Sequence, residues 1–338
     1  MNPVITSNPE TMNVSKKLSA AGVPGAGVVR AGSLLVALTF AFPSTTHAGK
    51  TGTSGRRFAS PEEAVASLRL ATVAADTNAL RDILGSGAED LQNPDRVQAT
   101  NELRTFSSAL TETNHLLYVS DTRVVLELGD DLWPFPVPIV KKDGGWFFDT
   151  DAGKDELLSR RVGENELAIL PAMRAYVDAQ REYASRDRDG DEVLEYAQRL
   201  VSSPGKQDGL YWPQELDGEL SPLGPLVAYA QAEGYSPELR EDQIEAERGP
   251  FHGYYFKILT RQGKHARGGK YNYGVNKNMI GGFAMIAWPA EYGDSGIMTF
   301  IVNQQGRVYQ KDLGPATSKI ATKMREYNSD PTWRISRD

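Results

Sequence analysis

The sequence predicts an α+β protein built as two successive units. In each, stretches of helical period come first and short β-branched or aromatic stretches between Gly/Asp turns follow. The 338 residues are 40% hydrophobic and 24% charged, ordinary for a globular chain and enough for about two domains. Zero Cys excludes disulfide frameworks, thiolate metal sites and cysteine nucleophiles, and four His leave few catalytic templates. The net charge of −7 offers no basic excess to a nucleic acid, so no DNA or RNA partner is expected.

Residues 1–48 carry the pattern of a signal peptide. Lys16, Lys17 and Arg30 precede the apolar run Leu34 to Phe42, and Thr46-His47-Ala48 places small residues before a cleavage point after Ala48. Met12 is an alternative start. The run is shorter than the ~20 residues of a spanning helix, so no integral membrane span is expected after cleavage. No Cys follows it to carry a lipid anchor. Loss of three cations and one carboxylate takes the charge from −7 to −9 in a mature chain expected in the periplasm or outside the cell. Residues 49–57 read as a flexible, Gly- and Thr-rich leader.

The first unit is expected over 58–152. Ser60-Pro61-Glu62-Glu63 supplies a cap, a first-turn proline and early carboxylates for a helix over 61–74. Residues 78–84 and 94–110 continue the helical pattern. The period then changes to strands at 115–120, 123–128, 133–141 and 145–149. Alternate prolines in Trp133 to Pro138 block ladder donation and predict an edge strand there. His115, at a strand start, reads as a surface histidine.

The second unit is expected over 153–338. Residues 155–185 form the longest helical pattern, interrupted by Gly163 and Pro171, which predicts a kinked helix or two in series. Further helices are expected at 192–200, 223–232 and 317–327, with a Pro/Gly-rich loop over 202–222. Strands at 254–259, 272–275, 283–288, 297–303 and 307–311 read as an antiparallel meander.

The opening SPEEAV helix, NALRDILG and the strand GGWFFD of the first unit resemble the NTF2-like cone fold. The words YVDAQREYA (176–184), GYYFKILTRQG (253–263) and GGFAMIAWPAEYGDSGIMTFIVNQQGRVYQKDLG (281–314) resemble exported bacterial proteins catalogued as domain of unknown function 2950, over residues 58–335. That resemblance implies an exported protein and carries over no activity. The second unit also resembles pilin-like globular domains, in which a long helix packs on an antiparallel sheet. Its helix is mid-chain and bears no prepilin leader, which speaks against a filament subunit.

Three constellations could carry chemistry. Asp187, Asp189 and Asp191 alternate as carboxylates do in calcium loops, although Glu192 stands where an EF-hand has Gly and Gln198 where it has Glu. The plain alternative is an Asp-rich turn capping the 192–200 helix. Tyr211, Trp212, Tyr254, Tyr271 and Tyr273 lead an aromatic set, with Tyr255, Trp288 and Tyr292, that suits a glycan or a protein partner if exposed and strand packing if not. His252, His265, Lys257, Lys264 and Glu291 could form an acid-base group, but no HExxH, GxSxG or phosphate loop accompanies them. Lys264, His265, Arg267 and Lys270 make a small basic hairpin tip. The reading is a non-catalytic envelope protein that binds a partner protein or glycan through the aromatic face and the 202–222 loop. The alternatives are a periplasmic hydrolase and a calcium-stabilised structural protein.

Overall fold

The computed structural model describes residues 55–337 except 92, 189, 214–218 and 237–248. The expected signal peptide, most of the expected leader and Asp189 lie outside the described residues. Gly55 to Arg57, assigned to the leader, are part of the fold: Arg56 N–H donates to Asp82 O and Gly55 packs against the Ile83 carbonyl.

The first region begins with α1 (Pro61–Val73), capped by the Ser60 hydroxyl as its sequence predicts. It continues through α2 (Thr77–Leu84), a 3₁₀ turn (Ser86–Leu91) and α3 (Arg96–Glu112). Asp76 and Asp95 cap α2 and α3 by accepting two backbone N–H groups each. Five antiparallel strands follow: β1 (Asn114–Ser120), β2 (Arg123–Leu128), β3 (Trp133–Pro134), β4 (Ile139–Lys142) and β5 (Gly145–Phe148), in the order β1-β2-β4-β5 with β3 beside β2. On β2, Val124, Leu126 and Leu128 point inward at 0% exposure while Arg123, Val125 and Glu127 point outward, the period of a half-buried strand. The proline run does not make one edge strand. It breaks after Pro134 because successive prolines cannot donate, and Phe135 and Val137 turn into the core. Strand β1 is one edge of this sheet, and β5 at the other end meets Phe58 through a single bridge at Trp146.

Helix α4 (Thr150–Tyr183) runs through Gly163 and Pro171 as one 34-residue helix rather than two in series. At 1.5 Å per residue it is ~51 Å long. Its early turns belong to the first core, where Leu157 is buried and Gly153 lies so close to Pro136 that a Cβ would sit 2.7 Å from that carbonyl oxygen. From Ile169 onward it belongs to a second hydrophobic cluster. Between the two, Arg161 and Asn165 are fully buried polar side chains.

The second region holds α5 (Gly224–Ala232), β6 (Tyr254–Leu259), β7 (Arg261–Gln262), β8 (Tyr271–Asn272), β9 (Gly274–Val275), β10 (Asn278–Met279), β11 (Ala284–Pro289), β12 (Met298–Asn303), β13 (Tyr309–Asp312), α6 (Thr317–Lys323), β14 (Glu326–Tyr327) and β15 (Arg334–Ile335). Its main sheet is β15-β13-β12-β11-β6, and β14-β7-β8 form a smaller one. All six residues of β11 are buried, so this sheet is covered on both faces. The register puts Lys257, Ile286 and Ile301 in one row, and Lys257 Nζ donates to Ala321 O and Thr322 O at the α6 C-terminus. Phe256 and Met285 point the other way, toward α4.

Two predicted helices are corrected. Residues 192–200 form no helix because their polar groups have partners elsewhere: Tyr196 N–H donates to Met279 O, Ala197 N–H to Gln180 Oε1, and Glu195 accepts from Met279 N–H. The last helix stops at Lys323, and Glu326-Tyr327 pair in parallel with β7. Tertiary hydrogen bonds outweigh local helical period in both. Among the described residues no helix is long and apolar enough to cross a membrane.

Candidate functional site: an apolar cleft under α5

The cleft is built on the Phe256 and Met285 face of the main sheet. Ala172 and Tyr176 of α4 form its floor, and the segment from Leu200 to Tyr211 forms one wall. That wall is closed on itself, with Ser202 N–H donating to Tyr211 O at 2.8 Å and Tyr211 N–H to Leu200 O at 3.0 Å. Asp208 clasps the loop by accepting from Ser203 N–H and Oγ. Leu223 N–H donates to Leu210 O and ties the start of α5 to this wall.

Helix α5 is the roof. Its sequence GPLVAYAQA is apolar nearly all round, a composition that normally belongs in a core, yet none of its residues is buried. Leu226, Val227 and Ala230 face a cavity of about 230 Å³ instead. The lining is almost wholly apolar, with Gln231 and Ser236 the polar side chains at its margin.

The rim is fixed by a polar seam that ties the cleft to the first region. Tyr235 OH donates to Asp95 Oδ2 at 2.7 Å and accepts from His252 N–H at 3.2 Å. Gly253 N–H donates to the same Asp95 oxygen at 3.2 Å. Gly253 has φ +71°, and a Cβ there would lie 2.6 Å from Asn165 Nδ2 and 2.9 Å from Ser295, so only glycine fits this close crossing. His252 Nε2 lies 2.9 Å from Glu233 Oε2, and Asn101 Nδ2 donates to Glu233 O at 2.7 Å. Burial, then the Asp95 charge, push the Tyr235 hydroxyl far above its ordinary range, so it stays a donor. Burial pulls Glu233 upward, but hydrogen bonds from His252 and Tyr229 outweigh it and leave the carboxyl below its usual value. Deeper in the seam Gln98 Nε2 donates to Asn165 Oδ1 at 2.7 Å, and Arg161 donates to Leu91 O at 2.7 Å and pairs with Asp294.

Of the five aromatics expected to present a contact face, Tyr211 lines the cleft. Trp212, Tyr254 and Tyr273 are at most 1% exposed and belong to the core. The Trp212 indole donates to Glu219 O, and Arg188 lies between its ring and that of Tyr183 at 5.1 and 5.2 Å. Tyr254 OH donates to Met298 O, and Tyr273 OH to Gln262 Oε1. Tyr271, at 36% exposure, is at the surface on the smaller sheet, edge-on to Tyr273.

The acid-base residues have separate partners. Lys257 holds α6, His252 pairs with Glu233, and the main chain of His265 donates to Asn328. His115 is exposed on β1. Asp187 accepts from Gly190 and Glu192 N–H, and Asp191 from Val193 N–H and Asn278, so these carboxylates organise their own turn. Among the described residues no group of three or more acidic or histidine side chains is disposed to hold a metal ion.

The sequence reading missed Asp95, Glu233 and Tyr235 of the seam and Phe251 of the cleft lining. One signal was present: the nearly all-apolar α5 announces a helix that needs cover on most sides.

A family model matches residues 55–335, and its description is protein of unknown function DUF2950. The chain belongs to the DUF2950 family. The match takes in both hydrophobic clusters, the seam and the cleft, so the features above lie within the family segment. No curated protein and no solved structure matches the chain.

Proposed function

We propose that this DUF2950 protein is a non-catalytic, exported component of the bacterial cell envelope that binds a partner protein through the cleft under α5. The observation that carries the reading is an apolar helix with no buried residue above an apolar cavity of about 230 Å³. Drug-sized ligands need roughly 300–1,000 Å³, so this space suits one or two anchor side chains of a larger partner. A glycan would call for more polar groups than Gln231 and Ser236 supply. The apolar run and small residues of 1–48 support export. Three helices followed by a five-stranded antiparallel sheet support an NTF2-like arrangement for the first region, and a long helix against a sheet supports the pilin-like comparison for the second.

Hydrolysis is the weaker reading. His252 spends its ring on Glu233 and its N–H on Tyr235, which makes it a positioning residue for the rim.

The test is a photoreactive amino acid in place of Tyr211, with the protein crosslinked in intact cells of its source. One discrete adduct is expected, and it should disappear when Val227→Trp fills the cavity. An adduct unchanged by Val227→Trp, or none at all, overturns the cleft as the binding site.

A further inference from the structure

The outer edge of the first sheet carries a second surface, independent of the cleft. Strand β1 pairs only with β2 among the described residues, and six of its seven residues are exposed. Leu117, Tyr118 and Val119 are 50%, 55% and 58% exposed. Edge strands are normally blunted by charges, prolines or bulges, because a row of free N–H and C=O groups recruits another strand. The sequence NHLLYVS has no Lys, Arg, Asp, Glu or Pro in a chain that is 24% charged. Its one irregularity falls between Tyr118 and Ser120, leaving a regular ladder from Asn114 to Tyr118.

We propose that β1 is a homodimerisation edge, on which a second copy of this chain pairs its own β1 in antiparallel fashion about a two-fold axis at Leu117. A two-fold axis normal to the sheet keeps each side chain on its own face, so a residue must pair with one an even number of positions away. With Leu117 opposite itself, Leu116 meets Tyr118, whose hydroxyl donates to Glu62 of α1, and His115 meets Val119 at the irregular step, so no strand residue along the seam is charged. The flanking charges agree with this direction. Glu127 lies beside His115 at one end of the ladder and Arg123 beside Ser120 at the other. The rotation therefore brings the acidic end of one copy alongside the basic end of its partner. A parallel pairing would align like charges along the whole edge. Two short strands bury less than the ~1,200 Å² of a stable complex, so the dimer is reversible and concentration-dependent.

The absence of cysteine makes the test clean, because a single introduced thiol can bond only to another chain. Residues directly opposite on antiparallel strands have Cβ atoms about 4.5–5.5 Å apart, close enough for a disulfide after small adjustment. In the full chain, expressed with its own N-terminal segment, Leu117→Cys should give a covalent dimer under mild oxidation. Leu70→Cys, on α1 and more exposed at 68%, should not. Sedimentation equilibrium of the unaltered protein should show mass rising toward twice the monomer value with concentration. Leu117→Lys places two ammonium groups face to face and should weaken the dimer at least about tenfold with an unchanged melting curve. An unaltered chain that stays monomeric at its highest soluble concentration overturns the proposal, as does a dimer that survives Leu117→Lys. Equal crosslinking from positions 70 and 117 also overturns it.

Discussion

The two five-stranded sheets handle an apolar surface in opposite ways. The first keeps one face wet: β2 alternates strictly, its inner residues sit under three helices, and the exposed large hydrophobics of its strands are Leu117, Tyr118 and Val119 of β1. The second is covered on both faces, α4 on one side and α6 on the other, so that β11 is buried at every residue. The cover over its Met285 face is incomplete, because α5 stands off the sheet and encloses space instead of filling it. Where a surface is left available depends on the covering layer. The one-sided sheet is open along an edge, and the two-sided sheet is open beneath a helix.

Removing a core anchor of the second region should have the largest effect. Trp212→Ala is expected to cost about 3–5 kcal/mol in urea unfolding, the range for a buried Trp truncated to Ala. A cost below about 1 kcal/mol would mean that this indole is a surface group after all. Next comes the seam. Burial pulls the Arg161 pKa down against the attraction of Asp294 and Glu102, and burial pushes Asp294 up against Arg161. Both directions say that desolvation outweighs the pair's attraction, so breaking it is worse than removing it. Arg161→Met should therefore lose about 3–4 kcal/mol, while Arg161→Met with Asp294→Leu recovers most of it. Equal destabilisation by the single and double variants would break the comparison of apolar cores with a polar seam.

Asp95→Ala removes the α3 cap together with the acceptor shared by Tyr235 and Gly253, for an expected loss of about 2 kcal/mol. Because Tyr235 and Phe251 line the cleft, the Tyr211 photo-adduct should weaken in the same variant. The smallest effect is titratable. Burial raises Glu164 to about 7, with Arg160 pulling the other way. The native state thus holds a proton that the unfolded chain releases near 4.5, so stability falls as pH rises from about 4.5 to 7. Glu164 is partly exposed, which discounts the penalty to roughly 1–2 kcal/mol. Glu164→Gln should melt with the unaltered protein at pH 4 and above it at pH 8. A constant difference across that range would show that the carboxyl does not titrate there.

Much of the first region was legible because its signals are local and complete. Ser60-Pro61-Glu62 starts α1, helical period marks the next two helices although their Asp76 and Asp95 caps were not read, and the Asp and Gly turns bound each strand. In the second region β6, β11 and β12 were legible as apolar runs between glycine turns, whereas 272–275, expected as one strand of the meander, is split between β8 and β9 outside the main sheet. Residues 192–200 were not legible, because Glu195, Tyr196 and Ala197 trade helical bonds for partners on Met279 and Gln180. The cleft was hidden for a related reason. Composition marks Trp212 and Tyr211 alike as aromatic, and only the fold decides that one ring fills the core and its neighbour borders the opening. The seam needs residues 95, 165, 235 and 253 together, and no window of sequence contains them.

The sharing of α4 by two cores suits an order of assembly from the N-terminal side. Leu157 is the last residue that the first cluster requires, so that core can close before the second half of the chain is in place. Closure fixes the early turns of α4, and helix propagates far more readily than it nucleates. The turns carrying Ile169, Met173 and Tyr176 then emerge as an extension of a helix already anchored, a template on which the later strands of the second region find their places.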